Sequence, residues 1–313
     1  MGMLIDGKWK EDAELVRSDD KGAFDRPDSV FREKVHEDHP TFQPESQRYH
    51  LYVSYACPWA HRTLIFRKLK GLEDHINISV VAPEMLKDGW TFNTQSPGAT
   101  VDHINGFQAL HQVYTASDPN VTCRSTVPIL WDTKTNQIVN NESSEIIRIF
   151  NTSFNKLTGN SEDYCPDSLR SEIDQVNDVV YNTINNGVYR CGFAKTQEAY
   201  DEAVEQLFHN LDKIEEKLNT SNYLVGDVVT EADLRLLPTL LRFDLVYYFH
   251  FKCNVRPLSS YDNLSRYMKA LYLDLGLEST FNSHHVKKHY YYSHETLNPY
   301  RIVPSGPKHW LDK

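Results

Sequence analysis

The chain has 313 residues, with 33 Lys and Arg against 43 Asp and Glu (formal net charge −10), 40% hydrophobic residues and five cysteines. That length supports one large domain or two ordinary ones, with a core that needs no disulfide staples. The acidic balance excludes the footprint of a general nucleic-acid binder or of a protein held on an anionic membrane, and the longest apolar runs, such as residues 146–150, fall far short of the roughly 20 residues needed to span a bilayer.

Residues 1–46 are polar and punctuated by Pro27, Pro40 and Pro44, which predicts a loop-rich extension with Phe24, Phe31 and Phe42 as anchors. The run at 49–53, Tyr-His-Leu-Tyr-Val, predicts a strand, and 54–60 a turn that feeds a helix. Apolar Leu64, Ile65, Leu69 and Leu72 form one helical face, closed by Gly71, and residues 76–81 predict a second strand. Strand, helix and strand in about 35 residues make a βαβ unit, hence a parallel pair with a right-handed crossover. From 82 to 124 runs a long insertion rich in Gly, Asn, Thr and Asp that carries Trp90; a loop of this length is a functional element or a sign that an element is hidden in it. Residues 127–131 and 137–139 predict a hairpin, and 140–145 supply cap residues and an acidic first turn for a helix from Ile146.

The region 156–281 is helical by pattern, with helices at 169–185, 197–218, 230–249 and 260–273. Thr230-Glu231-Ala232-Asp233 is a capping box, and Pro238 predicts a kink. Residues 282–313 are aromatic and His-rich and are expected to form a second extension. The predicted organisation is therefore an N-terminal extension (1–46), an α/β domain (47–155), an all-helical domain (156–281) and a C-terminal extension (282–313).

Cys57, Cys123, Cys165, Cys191 and Cys253 are an odd, widely spaced set, and the first residues are charged where a secretory signal would be apolar, so a reducing, cytoplasmic compartment is expected. Cys57 stands where a strand meets a helix and is followed by Pro58, which suits a first helical turn. First-turn amides and the helix dipole favour a thiolate, the nucleophile of thiol–disulfide chemistry. Taken alone, such a cysteine reads equally as an ordinary buried residue; its place in a βαβ unit favours chemistry. Ala60 stands where a resolving thiol would be, so the second thiol must come from outside.

Val127-Pro128 allows two readings, a cis bond presenting Val127 to a peptide-like ligand or a proline that merely opens an edge strand. Glu142-Ser143 likewise fits a ligand's charged ends or simple helix capping. Arg124 suits a ligand carboxylate. His61, one turn beyond Cys57, could serve as a base but is expected to be solvated, as helix-surface histidines more often are, and His284, His285, His289 and His294 lack metal-ligand spacing, so no metal is expected.

This order of motifs, Cys57-Pro58-Trp59-Ala60 on the first helix, Val127-Pro128 before the third strand and Thr230-Glu231-Ala232-Asp233 in a helical half, resembles a cysteine-type glutathione transferase: a thioredoxin-like N-terminal domain followed by an all-helical domain. More narrowly, residues 57–63, 141–148 and 185–189, with His289-Tyr290-Tyr291 and 298–307, resemble the Xi class, the glutathionyl-hydroquinone reductases. The resemblance implies Cys57 as nucleophile, Trp90, Arg124, Val127, Glu142 and Ser143 as glutathione-binding positions, and Tyr189, Tyr290 and Tyr291 around a quinol ring, with Tyr189 also catalytic. It further implies glutathione as co-substrate and a homodimer. An omega-like thioltransferase or dehydroascorbate reductase, or a non-catalytic module on the same fold, would share many of these motifs.

Overall fold

The structure is a computed structural model, and it describes every residue except 1, 12, 14–16, 26, 309 and 311–313, so parts of both expected extensions lie outside the described residues. The chain divides into two compact units, one of Met1–Leu15, Pro27–Glu162 and Thr280–Glu295, the other of Val16–Arg26, Asp163–Ser279 and Thr296–Lys313.

In the first unit, β5 (Tyr49–Val53) and β7 (Ile129–Asp132) are buried at every residue, the pattern of strands covered on both faces. They lie in the middle of a four-stranded sheet of order β6-β5-β7-β8, with β6 at Asn77–Val80 and β8 at Gln137–Asn140. β5 and β6 are parallel, joined through α1 (Pro58–Leu69); β7 runs antiparallel to β5 and to β8. This is the predicted βαβ followed by a hairpin. Its register is pinned by a buried ion pair at one end: Arg48 donates through Nε and Nη2 to the two Asp132 oxygens at 2.8 and 2.7 Å. α3 (Ser143–Thr152) packs on α1, and α4 (Asn155–Thr158) ends on Gly159 in the left-handed region.

The insertion hides a helix, α2 (Leu110–Ser117), whose Leu110, Val113 and Tyr114 are buried at i, i+3 and i+4 and which packs beside β8. The two ends of the chain also carry structure that the polar patterning concealed. Near the start, β1 (Met3–Ile5) and β2 (Lys8–Lys10) form a hairpin around Asp6-Gly7, both with positive φ as a two-residue turn requires. β1 bridges Leu4 to Cys123 through N–H···O bonds of 2.9 and 3.1 Å. Near the end, α11 (Ser283–Ser293) is a helix of this same unit.

Among the described residues the second unit is mainly helical, with a short antiparallel pair, β3 (Arg17–Ser18) and β4 (Phe24–Asp25). Its helices are α5 (Arg170–Val180), α6 (Gly187–Phe193), α7 (Gln197–Lys217), α8 (Glu231–Arg242), α9 (Tyr248–His250) and α10 (Asp262–Asp274). The helix expected over 230–249 holds Pro238 within α8, and π-type turns at Phe243–Tyr247 separate α8 from α9. The Thr230 capping box forms: Asp233 accepts from Thr230 N–H at 2.8 Å, and also from Leu224 N–H and the Tyr267 hydroxyl. None of the described helices is long and apolar enough to cross a membrane.

Candidate active site

Cys57 is the N-cap of α1, in extended conformation, with Pro58 at the first helical position. Its carbonyl accepts the first helical bond, from His61 N–H at 3.0 Å, which places Cys57 at the helix N-terminus, where the dipole favours negative charge. The side chain is half-buried, and its thiol donates to the Val127 carbonyl at 3.6 Å. The Val127–Pro128 bond is cis, the first of the two readings left open by the sequence.

The segment before Val127 is tied to α3 through one hydroxyl. Tyr114 on α2 donates to Thr126 O at 2.9 Å and accepts from Thr126 N–H at 3.2 Å and Asn141 Nδ2 at 3.1 Å. Asn141 immediately precedes Glu142, the N-cap of α3. Sequence reasoning missed Tyr114; the i, i+3, i+4 spacing of Leu110, Val113 and Tyr114 was the available signal.

Glu142 Oε1 accepts from the Ser144 amide at 3.0 Å and hydroxyl at 2.9 Å, and Ser29 donates to Oε2 at 3.0 Å. Burial works against the charge, but these hydrogen bonds and the nearby Arg62 guanidinium hold the carboxyl below its usual range. Arg62 is itself buried and lies over the Trp59 ring at 4.7 Å. Ser143 is buried at the first position of α3. The capping reading of Glu142 is thus realised, and it leaves a fixed anion beside a helix N-terminus, an arrangement suited to a zwitterion.

Trp90 is buried, and its carbonyl accepts from Leu110 N–H at 2.9 Å. Arg124, half-buried, follows Cys123, whose backbone is the one paired to β1. Tyr290 and Tyr291 lie buried on α11, and burial pushes the Tyr291 hydroxyl up to about 12. Tyr189 belongs to the helical unit, on α6, half-buried among Phe24, Phe193, Tyr247 and Phe251 at centroid distances of 5.3–6.4 Å. One expectation is corrected: His61 is fully buried, not solvated. Its Nε2 lies 2.8 Å from Thr280 Oγ1 and its ring stacks on Phe281. Among the described residues no cluster of His, Cys, Asp and Glu could hold a metal ion.

A small βαβ–ββα sheet with a thiol at the N-terminus of its first helix and a cis-proline opposite, followed by a helical unit, defines the glutathione-transferase class of thioredoxin-like proteins. Family models agree: residues 56–153 match "Glutathione S-transferase, N-terminal domain" and residues 197–270 "Glutathione S-transferase, C-terminal domain". The chain belongs to the glutathione transferase family, in its Xi class. It is 52% identical over 309 residues to glutathionyl-hydroquinone reductase PcpF of Sphingobium chlorophenolicum, covering 98% of this chain and 96% of that one. It is 49% identical to glutathionyl-hydroquinone reductase YqjG of Escherichia coli, covering 100% and 97%, whose glutathione-bound structure superposes with a TM-score of 0.91 at 47% identity over 100% and 97% of the two chains. The Xi glutathione transferase of Phanerochaete chrysosporium superposes with a TM-score of 0.92 at 50% identity, over 95% and 97%.

Proposed function

We infer that the protein is a glutathionyl-hydroquinone reductase that uses glutathione as co-substrate. The observation that carries the chemistry is the single thiol at the start of α1, with Ala60 where a resolving cysteine would stand. The Cys57 thiolate attacks the sulfur of a glutathionyl-hydroquinone. An S–S bond forms, the carbon–sulfur bond breaks, and the ring carbon keeps the electron pair and takes a proton, which releases the hydroquinone. The thiolate of a second glutathione then attacks the mixed disulfide, releasing oxidised glutathione and restoring Cys57. The proton taken by the ring is balanced by the one lost from the second glutathione.

In this reading the amide and carbonyl of Val127 pair with the tripeptide, Glu142 and Ser143 take its zwitterionic end, and Trp90 and Arg124 complete the glutathione site. Tyr189, Tyr290 and Tyr291 are the quinol-binding residues of this reading, with Tyr189 also catalytic. A homodimer in a cytoplasmic, reducing compartment belongs to the same proposal. The deciding experiment is a steady-state assay with a glutathionyl-hydroquinone and glutathione, with intact mass recorded during turnover. Hydroquinone release with one glutathione adduct on Cys57 is expected. Release that persists in Cys57→Ala would refute the mechanism.

A further inference from the structure

What holds the Trp90 ring is a helix from the other end of the sequence. On α11, His285, His289 and Ser293 recur at every fourth position and so share one face. All three bond the segment around Trp90. His285 Nε2 lies 2.7 Å from the Pro97 carbonyl, and His289 Nδ1 lies 3.0 Å from the Pro83 carbonyl. Ser293 donates to that same carbonyl at 3.3 Å and accepts from Met85 N–H at 3.0 Å. A carbonyl only accepts, so Nδ1 of His289 carries the proton, which fixes the ring's orientation.

So oriented, the His289 ring lies on the Trp90 ring, with centroids 4.6 Å apart and planes 23° from parallel. Both side chains are more than nine-tenths buried, at 7% and 6% exposure. An indole with a stacked ring on one side is held in a single orientation, so a ligand meeting it need not order it.

We propose that His289 is a positioning residue of the glutathione site: stacked on Trp90 and bonded to Pro83, it holds the indole ready for glutathione and sets glutathione affinity without touching the reacting sulfur. This rests on the assignment of Trp90 to the glutathione site.

The test measures the glutathione dissociation constant by calorimetry, and kcat, on the full chain. His289→Asn keeps a donor for Pro83 and removes the ring; His289→Phe keeps a ring and removes the donor; Trp90→Ala removes the partner. In His289→Asn the dissociation constant should rise about 3- to 10-fold, the range for loss of one aromatic pair, with kcat within about twofold of wild type. His289→Phe, which keeps the stack but loses the bond to Pro83, should weaken binding less than His289→Asn, and His289→Asn added to Trp90→Ala should cost nothing further. Wild-type affinity in His289→Asn beside weakened binding in Trp90→Ala overturns the proposal alone. Wild-type affinity in Trp90→Ala overturns the assignment of Trp90, and the proposal with it. If His289→Asn does not fold, His289→Phe decides: affinity close to wild type supports the stack, and a loss as large as that of Trp90→Ala overturns it.

Discussion

Cys57 and Cys253 are the same residue in opposite surroundings. Cys57 is the N-cap residue of α1, half-buried, its thiol 3.6 Å from one carbonyl and at the positive end of the helix dipole. Cys253 is wholly buried in the helical unit, its sulfur 3.8–3.9 Å from the Phe251 and Val188 carbonyls. Burial and contact with the Cys191 thiol push the Cys253 thiol well above its ordinary range. A thiolate needs solvent or dipoles to stabilise it, and Cys253 has neither. Cysteine as a residue type therefore says little about chemistry; the backbone around it says most.

The contrast is testable by separating activity from stability. The largest effect is expected in Cys57→Ser, where a hydroxyl replaces the thiolate: kcat should fall by at least ~10³-fold while the melting temperature stays within about 2 °C, read by assay and calorimetry. Cys253→Ala should do the reverse, costing about 1–3 kcal/mol in denaturant unfolding with kcat per folded molecule within about threefold of wild type. A large loss of kcat there would break the comparison.

The same residue predicts a pH effect. The folded state keeps the Cys253 proton well above the ordinary thiol value, whereas the unfolded chain loses it near about 8.5. Above that pH the unfolded state binds fewer protons than the folded one, so stability falls as pH rises, by up to about 1.4 kcal/mol per pH unit from this group. Urea midpoints between pH 8 and 10 should therefore fall less steeply in Cys253→Ala than in wild type.

The smallest effect sharpens the Cys57 side. Tyr114→Phe removes the hydroxyl that joins Thr126 to Asn141, the residues flanking the Val127 and Glu142 positions. The expected result is a KM for glutathione raised about 2- to 10-fold with kcat nearly unchanged, the cost of one buried hydrogen-bonding group.

The sheet unit was legible where strands and caps dominate. The run at 49–53, Pro58 after Cys57 and the polar run before Ile146 each state a local preference that the fold obeys. The unread parts have separate causes. α11 buries His285, His289, Tyr290 and Tyr291 but only one aliphatic residue, Val286, so its helical period is written in aromatic and imidazole rings that a hydropathy pattern scores as polar. The β1–β2 hairpin carries a two-residue turn signal, Asp6-Gly7, but its second strand, Lys8–Lys10, has only Trp9 as an apolar residue and so reads as part of a polar stretch. In the candidate site, Cys57 was visible because a cysteine followed by a proline at a strand–helix junction is a local signal. Tyr114 and His289 make tertiary contacts that no local pattern contains.

The face of α11 that grips Pro83 and Trp90 also sets an order of events during synthesis. Trp90 leaves the ribosome roughly 200 residues before His289, a gap of about 10–40 s at ordinary elongation rates. Through that interval the sheet can assemble while the Trp90 ring has nothing stacked on it. The chain that forms α1 is thus available early, and the contacts that α11 makes to Trp90 can close only near the end of synthesis.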